Sequence, residues 1–166
     1  MKTDDNLKTA FAGESQANRR YTAFAKKAEQ EGFAQVAKLF RAAAEAEMVH
    51  ALNHLRTMKE VRSTIDNLKA AKRGEVYEHT KMYPEFIEVA ESEKRNDAKV
   101  TFDYANKVEK IHAGLYQEAI EALESGRVLP ASDYFVCQIC GNTVKGEAPH
   151  KCPICGAPKE RFHKVI

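Results

Sequence analysis

Glu47-Met48-Val49-His50 returns later in the chain as Glu109-Lys110-Ile111-His112. On an α-helix, residues three apart share a face, so each stretch turns a carboxylate and an imidazole toward one point beside its helix. Two helices carrying Glu-x-x-His, with a glutamate from each of two others, form the sequence pattern of a dinuclear metal site inside a helical bundle. The fold therefore depends on whether the chain supplies two further helices with inward carboxylates.

The apolar periodicity supplies them. A first helix is expected from Thr3 or Asp4 to about Glu31, broken by Gly32, with an inward seam of Leu7, Phe11, Glu14, Asn18, Tyr21, Ala25 and Ala28. Glu14 interrupts that seam in mid-helix. A second helix from about Phe33 to Glu60 turns Glu47 and His50 inward, with His54 one turn beyond as a hydrogen-bonded histidine behind the ligands. Ser63-Thr64-Ile65-Asp66 reads as a helix start, a hydroxyl cap followed by an acid three residues later. The third helix puts Glu75 and Glu78 on one face, and His79, which competes with Glu78, reads better as surface. Pro84 lies inside this helix, where its ring and missing N–H should kink the axis, and the helix should end between Glu91 and Asn96. The fourth helix carries Ala98, Phe102, Ala105, Glu109, His112, Tyr116, Ala119 and Leu123, and stops at Ser125-Gly126.

A lone glutamate on a helix seam is usually a paired structural charge. Glu14, Glu47, His50, Glu75, Glu78, Glu109 and His112 together are different, because no inward lysine or arginine set accompanies them. Burying one unpaired carboxylate costs several kcal/mol. A cluster of them would exceed the roughly 5–15 kcal/mol that stabilises a whole domain. Two metal ions between them resolve the conflict. Tyr21 and Tyr83 read equally as core aromatics and as hydrogen-bond partners of a ligand glutamate.

The last segment differs in kind. All four cysteines fall in Cys137-x-x-Cys140-Gly141 and Cys152-x-x-Cys155-Gly156, after a linker from Arg127 to Asp133. About 30 residues cannot build a core of their own, so a tetrahedral metal should hold this unit together. Zinc and redox iron both suit four thiolates. The dinuclear pattern in the same chain favours iron, since an electron carrier beside a two-electron centre has a use.

The remaining composition narrows the class. A chain of 166 residues with 43% hydrophobic and 30% charged residues is expected to be globular, and a net charge of +2 gives no reason to expect nucleic acid or a membrane surface as partner. Neither an apolar leader nor a run of bilayer length is evident, which makes the cytoplasm the expected location.

Taken together, Glu14 with Tyr21, Glu47-x-x-His50, Gly74-Glu75-x-x-Glu78 running into Met82-Tyr83-Pro84, Glu109-x-x-His112 and the two cysteine knuckles resemble the rubrerythrins over essentially the whole chain. The resemblance implies a ferritin-like four-helix bundle with a long crossover over residues 1–131, and a rubredoxin-like domain over 132–166. It implies two non-haem irons, oxo- and carboxylate-bridged, and one Fe(Cys)4 iron on Cys137, Cys140, Cys152 and Cys155. It also implies reduction of hydrogen peroxide to water, fed by a rubredoxin or an NAD(P)H-dependent oxidoreductase. By the same resemblance Glu14 and Glu75 cap separate irons, Glu47 and Glu109 bridge them, and one iron exchanges Glu78 for His50 on reduction. Asn142 departs from the family, where an aromatic often follows the knuckle glycine.

Two rival functions stay open on sequence alone, a ferroxidase or iron-handling protein and a zinc-loaded module without catalysis. A homodimer is expected, because the short linker should leave one subunit's tail nearer the other's dinuclear site than its own.

Overall fold

The computed structural model describes all 166 residues. It is mainly helical with a small C-terminal sheet. The helices are α1 (Lys2–Gln30), α2 (Ala34–Thr57), α3 (Thr64–Tyr77), α4 (Tyr83–Ser92) and α5 (Asn96–Glu124), with one π-helical turn over Glu78–Met82 between α3 and α4. The strands are β1 (Tyr134–Cys137), β2 (Thr143–Lys145) and β3 (Phe162–Lys164), an antiparallel sheet in the order β2-β1-β3. No helix is long and apolar enough to cross a membrane.

The chain divides into two compact units, Met1–Arg62 and Ser63–Ile166. In the first, α1 and α2 form a hairpin turned at Gly32, whose φ of +84° only glycine adopts freely. Small residues let the two helices approach: Ala25, Ala28, Ala37, Ala44 and Ala51 are all buried. Asn18 is buried with them and donates its side-chain amide to Ala44 O at 2.6 Å, so the polar atom in the seam is satisfied.

In the second unit, α3 and α4 pack on α5. Ser63 caps α3 as the sequence indicates, its hydroxyl accepting from the Asp66 N–H at 3.3 Å. The kink expected at Pro84 takes another form. Pro84 sits in the first turn of α4, where a missing N–H costs nothing, and the irregularity lies ahead of it. There the Tyr83 N–H bonds to Glu78 O, five residues back, and the Thr80 hydroxyl satisfies Val76 O at 2.5 Å. A π turn inserts one residue into the helical repeat.

That extra residue shows against the first unit. Tyr21, Phe24 and Phe40 have ring centroids 6.3, 6.2 and 5.5 Å apart for the pairs 21–24, 21–40 and 24–40. Tyr83, Phe86 and Phe102 repeat this with 6.2, 6.3 and 5.6 Å. Phe40 precedes Glu47 by the same interval that separates Phe102 from Glu109, but the interval from Glu75 to Tyr83 is one residue longer than from Glu14 to Tyr21. The two helix pairs are copies of one plan, with a single residue added in the second.

After α5, Gly126 (φ +69°) reverses the chain, and Val128, Leu129 and Pro130 run back beside Glu118, Glu121 and Ala122. This brings the cysteine segment onto α5 of its own chain, where the sequence suggested that the linker would fall short. The expected effect of Ser63→Ala, which removes the cap of α3, is a loss of about 1 kcal/mol in stability, read by urea unfolding.

Candidate metal centres

The helical frame gathers the acidic and imidazole side chains into two sets. In the first unit, donor atoms of Glu14, Glu47 and His50 lie within 4.8 Å of one another, and in the second those of Glu75, Glu109 and His112 do the same. His50 Nδ1 is 3.0 Å from Glu47 Oε2, and His112 Nδ1 is 2.7 Å from Glu109 Oε2 and 3.9 Å from Glu75 Oε2. Each Glu-x-x-His pair thus converges as its spacing requires. His50 is more open than the seam suggested, its side chain 54% exposed against 28% for His112.

Without a cation, each set holds itself together with protons. Glu14 hydrogen-bonds to Glu47, which raises the Glu14 carboxyl above its ordinary range and lowers that of Glu47; His50 lowers Glu47 further. Burial first, and then the charge and hydrogen bond of Glu109, push Glu75 up to about 7. Like charges this close cannot both ionise cheaply, and a divalent ion removes the conflict by replacing the proton. The oxygen and imidazole donors present suit non-haem iron.

Glu78 stands outside both donor sets. Burial and the nearby charge of Glu109 raise its carboxyl, so it belongs to the same neighbourhood, one turn beyond Glu75 in the π turn. Tyr83 is there too: burial raises its phenol, and Glu78, Glu109 and Glu75 add to the shift. Tyr21 is held among Phe24 and Phe40. Tyr116 has no role in the sequence reading, yet burial and the charges of Glu75 and Glu109 raise its phenol as they raise that of Tyr83. Its position one turn after His112 on the same seam was the available signal.

The four cysteine sulfurs also lie within 4.8 Å of one another. Cys137 Sγ and Cys155 Sγ are 3.7 Å apart, and Cys140 Sγ and Cys152 Sγ 3.6 Å, too far for a disulfide. A tetrahedron with metal–sulfur bonds of about 2.3 Å has edges of about 3.8 Å, so the sulfurs stand at the spacing of a shared ion. Gly141 and Gly156 adopt the positive φ expected after each pair, +81° and +76°. Burial works against the Cys152 thiolate, but the Cys155 and Ile154 amides point at its sulfur and bring the thiol down to about 7. Burial pushes the Cys140 thiol up. Asn142 is 1% exposed and its side-chain amide lies 3.7 Å from Cys152 Sγ, so the departure from an aromatic places a donor on a metal-binding sulfur.

The raised carboxyls give the metal-free protein a pH signature. Between pH 4.5 and about 7 the unfolded chain has released the Glu75 proton that the folded chain keeps, so stability falls as pH rises through this window and levels off above it. Glu14 and Glu78 act in the same direction, whereas the lowered Glu47 acts below the window. Urea unfolding of chelator-treated protein should lose about 1–3 kcal/mol from pH 4.5 to 7, and Glu75→Gln should remove most of that slope.

Comparison with known proteins agrees with both centres. The rubrerythrin family model matches residues 5–120, and the model of the rubrerythrin rubredoxin-like domain matches residues 135–163. Rubrerythrin-2 of Clostridium acetobutylicum is 35% identical over 174 residues, spanning 96% of this chain and 95% of the relative. Nigerythrin of Nitratidesulfovibrio vulgaris is 38% identical over 175 residues, spanning 96% and 85%. Among solved structures, nigerythrin in its fully reduced, all-ferrous state is similar with a TM-score of 0.59 at 36% identity, over 98% of this chain and 86% of that one. The carboxylate–imidazole sets are the ligand groups of a diiron site, and the four cysteines are those of a rubredoxin-like iron. With both parts matched along its length, the chain belongs to the rubrerythrin family.

Proposed function

We propose that this oxidoreductase is a peroxidase, reducing hydrogen peroxide to two waters with two electrons and two protons. The observation that carries this reading is the pair of Glu–Glu–His sets in one chain with a four-sulfur site. A ferroxidase or store would have no need of the sulfur site, and a zinc-loaded module no need of a redox pair. Bound iron supplies the two-electron cleavage of the O–O bond, with the sulfur-bound iron as the relay that renews it. A rubredoxin or an NAD(P)H-dependent oxidoreductase is the proposed donor, and the cytoplasm the proposed location.

The chain's own residues do the rest. In this reading Glu14, Glu47 and His50 would hold one ion and Glu75, Glu109 and His112 the other. Glu78 would be the mobile ligand that alternates with His50; burial and the charge of Glu109 raise its carboxyl, which favours its holding a proton beside the site. Tyr83, whose phenol feels all three nearby carboxylates, stays protonated and can donate a hydrogen bond there. Tyr21 is proposed to do the same on the other side. Residues 1–131 are read as the catalytic domain and 132–166 as the electron-relay domain.

We also read the active form as a homodimer in which one subunit's knuckle serves a dinuclear site to which the other contributes. The ligands divide between two separately compact units, and the first unit leaves Phe24, Leu39, Val49 and Leu52 at least 40% exposed, more apolar surface than a two-helix unit should leave in water.

Iron loaded anaerobically should reach two ions beyond the sulfur-bound one, and the diferrous protein should be oxidised faster by peroxide than by dioxygen; the reverse order would support the ferroxidase. Glu78→Ala should keep both irons but lower peroxidase turnover by roughly 10-fold or more, measured as peroxide-dependent reoxidation of the reduced protein. Mixing an inactive Cys140→Ser chain with an inactive Glu14→Gln chain should restore activity if the relay crosses between subunits.

A further inference from the structure

Three residues of the cysteine segment meet α5 at successive levels along its length. A Cβ on Gly141 would come 3.9 Å from Val108 Cγ1, Thr143 Oγ1 is 2.8 Å from His112 Nε2, and Lys145 pairs with Glu118. Gly141, Thr143 and Lys145 alternate along β2 and its lead-in and so share a face; Val108 and His112 lie one turn apart on one side of the helix, and Lys145 reaches around to Glu118 further along. Four residues of strand span about 13 Å and ten of helix about 15 Å, so the two rows run in step.

The middle contact has a direction. A threonine hydroxyl carries one proton, and Thr143 Oγ1 donates it to Gly141 O at 3.2 Å. Toward His112 the same oxygen is then an acceptor, which requires the imidazole proton to be on Nε2. Nδ1 is left with its lone pair facing Glu109 and Glu75, where a cation would bind. The opposite direction would deprive Gly141 O of its partner and put the proton on Nδ1, against the ion.

We propose that Thr143 is a positioning residue that fixes the ring orientation and tautomer of His112, so that the docked cysteine knuckle completes the Glu75–Glu109–His112 half of the dinuclear site. A metal-binding histidine ordinarily donates its other ring N–H to a carboxylate, a backbone carbonyl or water. In this chain the partner is a hydroxyl of the cysteine segment, two residues after the Gly141 that follows Cys140. The inference rests on the metal-site reading above.

The test uses the full chain loaded with zinc at all sites, a diamagnetic probe, and long-range proton–nitrogen NMR of His112. The wild type should show a proton on Nε2, slow to exchange with water, and metal on Nδ1. Thr143→Ser should keep both features. Thr143→Val should lose the exchange protection and weaken zinc binding outside the four sulfurs by roughly 10-fold or more, with the sulfur site still loaded as a sign that the knuckle is folded. Lys145→Ala loosens the docking through a different contact and should leave the Nε2 proton protected. An unchanged Nε2 signal and affinity in Thr143→Val would overturn the proposal, as would Lys145→Ala reproducing the whole effect with Thr143 present. Wild-type protein that takes no zinc outside its sulfurs would instead bring down the metal-site reading, and this one with it.

Discussion

Like charges held close together are the constraint from which the rest of this structure follows. Glu14 faces Glu47 and Glu75 faces Glu109, each pair drawn together by helices that pack for other reasons, chiefly small apolar residues and aromatic triads. A carboxylate pair in a partly dry site must share a proton or a cation. The raised carboxyls of Glu14, Glu75 and Glu78 describe the first solution, and the adjoining imidazoles show that the site is made for the second. Affinity for a cation and strain in its absence are two views of one arrangement.

The two metal domains depend on each other more than their separate family matches suggest. The sulfur site brings its own order, with glycines at +81° and +76° and amides turned to the sulfurs, but its sheet has only three short strands. It gains an anchor by lying along α5, and His112 of α5 gains a hydroxyl partner. The hydroxyl at Thr143 is therefore a point where the cysteine segment and the Glu75–Glu109–His112 set share a hydrogen bond.

Much of this could be read in the sequence. The Glu-x-x-His spacing, the caps at Ser63 and the stops at Gly32 and Gly126 each have a local cause, and the structure has them where that cause puts them. The third helix was harder. A proline inside an apolar periodicity announces irregularity without saying which kind, and a π turn leaves no composition of its own; comparing the Glu75–Tyr83 interval with that of Glu14 and Tyr21 is what reveals it. The contacts of Thr143 and Asn142 could not be read at all, because they depend on where a linker of seven residues lays the knuckle down. The periodicity puts Tyr116 on the inward face but says nothing of its task, since a seam aromatic looks the same whether its hydroxyl meets solvent or carboxylates.

The single added residue of the π turn has a further meaning. A chain made from two copies of the first hairpin would present two equivalent carboxylate–imidazole sets, and no third acidic side chain would stand by either. The insertion breaks that equivalence, and Glu78 at the head of the π turn lies near Glu109 with no counterpart in the first hairpin. The two carboxylate–imidazole sets are then unequal in what stands beside them, although their own ligands are the same. The asymmetry is drawn from one residue's length of backbone.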